Sequence, residues 1–575
     1  MKNRYFGTRT GALLLTVGLL LTSCSKAKDT TTEETTATQA TATTTEATTA
    51  ANTTTEQTTT TEETSEASYT LLETRPVIDI PSVTLQDSRY ISDEEAAAFE
   101  EELRKLPGVV DVKRDKKYKN GQFMVYYEMP LDHKDPSKGT FTQRMYCFYK
   151  GKDAPNLFYI GGYFLEFGEF TSNDEINNTV VLEKENPFSE RYNCNFFEPE
   201  FRLYEPDLDE MNYKNLEYMG YLTDENASED FHFMIEGLKT IVNGKWAMEG
   251  LSKGGQFVAY QLGRYPDDAD LYVSESAMIR ETRNFPGMYE YCYTTAGDDL
   301  FGKETAKKYR DMITELQVEL IKHKDNVIKE YFYETKKDKV VFSSDLTQEI
   351  MYDCAVLDQV YIWQYVFDDY FENLEQLLKM KDSTDPDEIR EYERQLGTHM
   401  SCYYSYMQYA VYCQSEFSDF NLSNKLLSLF MFECYREDGN YLYDFSYLRE
   451  ALEKDGSGAK LSVTEDMEES LFELRIHEDQ RALFKYDPTV CETRIRAIET
   501  STKPVIIVNA TTDVHHVAEI MESDNPNVHI FNVIGACHDQ ADCGAFFTEK
   551  NTNYQKPTQE QKDEYDRIVK EALGI

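Results

Sequence analysis

Trp246-Ala247-Met248-Glu249-Gly250-Leu251-Ser252-Lys253-Gly254-Gly255 is the stretch on which the reading of this chain turns. Lys245–Glu249 has the composition of a buried strand, and the residues after the serine open a helix that continues through Arg264. Between them Gly250 and Gly254 frame Ser252 as G-x-S-x-G. A strand that turns sharply into a helix needs small residues at those places. The two backbones approach closely while the turn lifts the serine hydroxyl to the carboxyl edge of the sheet. The pattern alone also suits a plain Gly-rich turn; its position between strand and helix makes Ser252 a candidate nucleophile.

The surrounding chain supplies the alternation such a turn requires. Ser92-Asp93-Glu94-Glu95 is a capping box that opens a helix to about Lys105, stopped by Pro107-Gly108. Apolar and aromatic runs at Gly121–Met129, Thr142–Tyr149, Asn156–Ile160 and Asn193–Phe197 read as strands. Ala227–Val242 reads as a helix and Asp270–Ser274 as a further strand. Strands alternating with helices predict an α/β domain with a mainly parallel sheet. From about Ile279 to Thr500 the character changes. Lys303–Tyr333, Leu346–Lys379, Asp387–Cys413 and Leu422–Glu437 read as helices rich in Tyr, Leu, Glu and Lys. Strand composition then returns at Lys503–Asn509 and Val528–Val533. The expected architecture is an α/β core, residues 69–278 and 501–575, interrupted by a helical insertion over 279–500. At helical spacing the insertion's aromatic residues read as its own core rather than as subsites.

A serine hydroxyl needs a base, and the base needs a carboxylate to orient it. Asp513 follows the strand ending at Asn509, and His538 follows the strand ending at Val533. Both would sit on loops at the carboxyl edge, in the Ser, acid, His order of α/β hydrolases. His515 and His516 lie close enough to be rival bases, although neither follows a separate strand. Asp539 and Asp542 flank His538 and could perturb it. The oxyanion hole would use the backbone N–H of Lys253 and one from Gly161-Gly162-Tyr163, with Gly162 the natural choice; a tight turn with positive φ would explain the same glycines. No metal and no cofactor are expected. Cys537, His538 and Cys543 lack a second ligand pair at finger-like spacing, and His515-His516 lacks the H-E-x-x-H helix.

Composition narrows the classes further. The 575 residues carry 59 basic and 104 acidic side chains, a formal charge of −45. So acidic a surface repels phosphate backbones and argues against nucleic-acid binding. Hydrophobic residues at 41% and aromatics at 13% exclude whole-chain disorder. The eleven cysteines contain no CxxC pair, and their parity leaves disulfide pairing open.

The N-terminus reads as an address and a tether. Lys2, Arg4 and Arg9 precede the apolar stretch Ala12–Leu21, and Leu21-Thr22-Ser23-Cys24 resembles a bacterial lipobox. Residues 1–23 are expected to be a lipoprotein signal peptide and Cys24 the lipidated N-terminus of the mature chain. Residues 24–68, dominated by threonine, lack the large apolar side chains needed to offset ordering entropy, and so read as a solvated stalk. About 45 residues at ~3.3 Å each would reach on the order of 150 Å. The expected location is the outer face of a bacterial cell membrane, held by a lipid anchor.

Several stretches together resemble one family. They include Pro130-Leu131-Asp132-His133, Gly139–Arg144, Gly161-Gly162-Tyr163, Glu200-Phe201-Arg202-Leu203-Tyr204, Tyr221-Leu222-Thr223 and Asp230-Phe231-His232. The longest is Gly250–Gly255, followed by Arg264-Tyr265-Pro266-Asp267-Asp268. This set is similar to the secreted tripeptidyl aminopeptidases of actinomycete type, serine peptidases distantly similar to prolyl carboxypeptidases. The resemblance spans about 120–280 and, more weakly, 503–545. It implies an α/β-hydrolase fold, Ser252, Asp513 and His538 as a triad, the insertion as a lid, and release of short peptides, typically tripeptides, from free N-termini. Peptides are then the expected substrates. The chain departs from the family pattern at Val514-His515, where Pro-Trp is usual, and at Cys537-His538, where Asn-His is usual. An esterase using the same triad, or a peptide-binding lipoprotein on a hydrolase scaffold, stands as the alternative.

Overall fold

A computed structural model describes residues 91–114, 121–163, 165, 185–204, 216–328, 346–365, 370–412, 429–476, 478–547 and 554–575. The signal segment, Cys24 and the Thr-rich stretch lie outside the described residues.

Nine strands form one sheet: β1 Val109–Arg114, β2 Gln122–Pro130, β3 Thr140–Phe148, β4 Asn156–Ile160, β5 Asn195–Pro199, β6 Trp246–Leu251, β7 Leu271–Glu275, β8 Val505–Ala510 and β9 Val528–Val533. Their spatial order is β1-β2-β3-β5-β4-β6-β7-β8-β9. β1, β2, β3 and β5 pair antiparallel in sequence, whereas β5, β4 and β6 to β9 are mutually parallel. The strands were placed by sequence to within two or three residues, with the exception of β1, which sequence left unread. Its Val109-Val110-Asp111-Val112 segment is short, half-exposed and bulged between Val109 and Asp111.

The central strands are buried on both faces, so their residues divide by alternation. Phe158, Ile160, Met248, Tyr272, Val505 and Ile507 join one hydrophobic cluster, together with helices α2 (Asp224–Leu238) and α3 (Lys253–Arg264). Leu157, Tyr159, Ala247, Leu271, Val273, Ile506 and Val508 join the cluster on the other face, closed by α8 (Gln559–Leu573). The N-terminal helix α1 (Asp93–Leu103) begins with the capping box read from sequence: Ser92 Oγ accepts from Glu95 N, and Glu95 accepts from Ser92 N. A parallel sheet with this crossed order and a serine at the β6–α3 turn is an α/β-hydrolase fold.

Between β7 and β8 the described residues are mainly helical and include α4 (Lys303–Lys322), α5 (Gln348–Leu357) and α6 (Pro386–Tyr412). This segment has its own core, in which Tyr352, Trp363 and Tyr392 are fully buried. Leu346–Lys379 is not one helix: a 3-10 stretch, Asp358–Tyr365, follows α5 before helix resumes at Tyr370. The last helix, α7 (Thr489–Thr500), packs with the sheet's helices, its Val490, Ala497 and Ile498 joining the first cluster. Among the described residues no helix is long and apolar enough to cross a membrane, and Cys147, Cys194, Cys292, Cys354, Cys434, Cys491, Cys537 and Cys543 are buried.

Candidate active site

Ser252 occupies the turn between β6 and α3 with φ +58° and ψ −123°, a backbone state that L-residues avoid unless their surroundings enforce it. The enforcement is visible at Gly254. A Cβ there would lie 1.8 Å from the carbonyl oxygen of Ile160 at the end of β4. The helix can start so close to the sheet only because that atom is absent. The Ser252 N–H donates to Glu275 O on β7 at 2.8 Å, which pins the turn to the neighbouring strand.

His538 and Asp513 arrive from the loops after β9 and β8. His538 Nε2 lies 2.7 Å from Ser252 Oγ, and its Nδ1 lies 2.5 Å from Asp513 Oδ2. A buried carboxylate can only accept, so Nδ1 carries the proton and Nε2 is left to accept from the serine hydroxyl. The two loops are tied to each other: Thr512 N donates to Ala536 O at 3.0 Å, and Gly535 N to Thr511 Oγ1 at 2.9 Å. Asp513 is fully buried, whereas the His538 side chain keeps 18% exposure, enough for the base to meet a substrate.

The charges follow from these contacts. Burial acts to raise the Asp513 carboxyl, but the His538 charge and hydrogen bond, with the His515 backbone N–H, outweigh it and hold the group well below the usual carboxylate range. Burial acts to depress His538, yet the Asp513 charge and hydrogen bond leave it above the ordinary histidine value. The arrangement can activate a hydroxyl, store its proton on imidazole and stabilise the imidazolium formed.

The rival histidines are engaged elsewhere. His515 Nδ1 lies 2.6 Å from Tyr441 Oη, and burial pushes the ring down to about 4, so it is neutral. Its ring meets that of His538 edge to face at 5.3 Å. His516 Nδ1 pairs with Glu519 at 2.6 Å. Lys253 and Gly162 both lie beside the elbow. Lys253 begins α3, and Gly162, at φ +81°, is so close to the helix start that a Cβ would sit 2.9 Å from Gly254 N.

Two residues that sequence reasoning passed over also touch this centre, and both come from the insertion. Gln364 donates from Nε2 to Asp513 Oδ1 at 2.5 Å and accepts the His538 N–H on Oε1 at 3.0 Å. Glu433 meets the Lys253 ammonium with both carboxylate oxygens at 2.8 Å. A glutamine in a 3-10 stretch and one glutamate among many carry no local pattern that would have singled them out.

Other stretches that carry the family resemblance form a second, structural network. Glu200 takes a bidentate pair from Arg144 at 2.8 and 2.6 Å. Arg202, fully buried, pairs with Asp230 at 2.8 and 3.0 Å and caps the carbonyls of Pro130, Leu131 and Tyr221. His133 Nε2 meets the same Asp230 at 2.7 Å. These motif residues bind β3 to the chain after β5, and the end of β2 to α2, rather than meeting the serine.

Among the described residues, one group has metal-ligand geometry: His232, Glu236 and Asp268, with ligand atoms within 4.8 Å. It lies past the C-terminal end of α3, about 18 Å of helix from Ser252. Its groups already have partners: His232 Nδ1 and Gln261 Nε2 both meet Asp268 at 2.7 Å, and Lys239 meets Glu236 at 3.0 Å.

A prolyl tri/tetrapeptidyl aminopeptidase of Streptomyces mobaraensis is 26% identical over 271 residues, 47% of this chain and 51% of that protein, so the chain spans about half the length of this curated relative. Solved structures with similarity include a proline iminopeptidase of Mycobacterium smegmatis, at TM-score 0.25 and 10% identity, covering 78% of this chain and 97% of that one. A hyperthermophilic esterase of Pyrobaculum calidifontis has TM-score 0.20 and 16% identity, covering 39% of this chain and 59% of that one. The model of the PS-10 peptidases, S37, matches residues 92–385, which is just over half of the chain and includes the nucleophile elbow. The chain belongs to the PS-10 peptidase S37 family.

Proposed function

We propose that this protein is a serine peptidase that works outside the cell, anchored through a lipid on Cys24, and releases short peptides, chiefly tripeptides, from free N-termini. The observation that carries the catalytic part is the hydrogen-bonded line Ser252–His538–Asp513 at 2.7 and 2.5 Å. Ser252 Oγ attacks the scissile carbonyl as His538 Nε2 takes its proton, and the tetrahedral oxyanion is met by the Lys253 N–H with the Gly162 loop beside it. His538 then gives the proton to the leaving amine, and water, activated by the same imidazole, hydrolyses the acyl-enzyme and frees the N-terminal peptide. Asp513 orients the ring throughout and stabilises its charged form.

The exopeptidase reading draws on the sequence resemblance and on the name of the Streptomyces relative. The lipobox Leu21-Thr22-Ser23-Cys24 and the threonine-rich stretch after it support the anchor and the location. The test is mass spectrometry of a defined peptide mixture incubated with the protein, with Ser252→Ala alongside. Products shortened by three residues at the N-terminus, absent with Ser252→Ala, are expected. Cleavage confined to internal bonds, or hydrolysis of acyl esters without any peptide cleavage, would overturn the exopeptidase reading. For the anchor, metabolic labelling with a fatty acid should tag the wild type and not Cys24→Ser.

A further inference from the structure

Lys253 follows the nucleophile directly, yet its side chain is 1% exposed and aimed into the protein. An ammonium has three N–H bonds to satisfy. Here they meet Gly162 O at 2.8 Å and the two Glu433 carboxylate oxygens at 2.8 Å each. The rings of Phe201, Tyr204 and Tyr163 close around Nζ at 3.7, 4.7 and 5.2 Å, and the Tyr204 hydroxyl donates to Glu433. With all its protons engaged, this lysine is not available as a base toward Ser252.

The three attachments join three separate parts of the chain. Lys253 begins α3, and in the mechanism proposed above its N–H meets the oxyanion. Gly162 belongs to the loop after β4, which that mechanism places on the other side of the oxyanion. Glu433 belongs to the insertion, at the entry of the π-helical turn Cys434–Asp438. A buried cation is a costly way to fill an aromatic box, and a methionine would fill much the same space. What an apolar residue could not do is hold the Gly162 carbonyl in one orientation, and with it the peptide planes of the loop.

We propose that Lys253 and Glu433 are a positioning pair: through the Gly162 carbonyl they set the oxyanion loop against the start of α3, so that the insertion fixes the geometry of transition-state stabilisation. This rests on Ser252 being the nucleophile. The Lys253 and Glu433 side chains bond to Gly162 O and to each other, not to the Ser252 hydroxyl, so their removal acts on the transition state and leaves ground-state binding alone.

The test uses the full chain with p-nitrophenyl acetate, whose hydrolysis needs the oxyanion pocket whatever peptide the enzyme prefers. An alkylboronic acid serves as the tetrahedral analogue. Removal of an oxyanion donor outright costs about 10²–10³ in kcat, so displacement of the loop is expected to cost about 10–100-fold. Glu433→Gln and Lys253→Met should each lower kcat by that factor with KM within about twofold, and weaken the boronic acid in proportion. The double variant should be no worse than the poorer single one, because both changes break one unit. Tyr204→Phe, which removes a single hydroxyl from Glu433, keeps the question answerable if Lys253→Met does not fold; its kcat should fall by a smaller factor in the same direction. Folded Glu433→Gln with unchanged kcat and boronic-acid affinity would overturn the proposal, as would equal losses in kcat and in substrate affinity. Full activity in Ser252→Ala would instead remove the nucleophile assignment beneath it.

Discussion

Replacing Gln364 with leucine should slow the chemistry without touching the substrate. Asp513 accepts from His538, from the His515 N–H at 2.8 Å and from Gln364, and the last of these comes from the insertion. The amide orientation is fixed, since the His538 N–H can only donate and therefore faces Oε1. Leucine keeps most of the volume and removes both contacts. A hydrogen bond to a charged acceptor contributes about 1.5–3 kcal/mol, and the orphaned His538 N–H adds about 1 kcal/mol. Part of that total is lost from the ground state and appears as reduced stability. The remainder is felt as imidazolium forms, when Asp513 must hold both charge and ring; about 1.4–2.7 kcal/mol expressed there corresponds to about 10–100-fold in kcat. Steady-state kinetics on a tripeptide anilide should show that fall with KM unchanged, and urea denaturation should show a loss of about 1–2 kcal/mol. A Gln364→Leu enzyme with wild-type kcat and wild-type stability would refute the reasoning, because it would mean that the insertion contributes nothing to the acid and base.

Three further outcomes follow from contacts already described. Gly254→Ala should abolish folding or cost more than about 4 kcal/mol, since its Cβ meets backbone rather than a movable side chain; circular dichroism on expressed protein checks this. Arg202→Met should destabilise by about 3–5 kcal/mol, measured in urea, because Asp230 is left buried with His133 as its remaining ionisable partner. The acid limb of kcat/KM should lie above the ~6.5 of an ordinary histidine, because His538 must be neutral to take the serine proton and Asp513 favours its charged form. In Asp513→Asn that limb should move down, with kcat reduced by roughly 10⁴. A pH–rate profile identical in the two proteins would remove Asp513 from the mechanism.

The sheet was largely legible because buried strands advertise themselves. Val505–Ala510 and Asn156–Ile160 are runs whose composition leaves few alternatives, and Gly250 and Gly254 mark the turn from β6 into α3. The chain order of Ser252, Asp513 and His538 then located three side chains that the fold brings within hydrogen-bond reach. The insertion was legible as helical but not in its breaks. Asp358–Tyr365 tightens to 3-10 and Cys434–Asp438 widens to a π turn because tertiary contacts at Gln364 and Glu433 outweigh local propensity. Those two residues could not be found from sequence, since their partners lie 149 and 180 positions away. The resemblance motifs pointed to the right family, but Arg144, Arg202 and Asp230 turn out to brace the scaffold.

The order of the strands also sets a timetable. Synthesis delivers Ser252 early, whereas the acid and base arrive only with β8 and β9, after the whole insertion has been made. Until β8 pairs with β7, the sheet ends at an open edge and the serine has neither a proton acceptor nor the carboxylate that would orient one. On the proposed mechanism a nascent chain of some five hundred residues therefore lacks its acid and base, and hydrolytic power waits on the pairing of the last two strands.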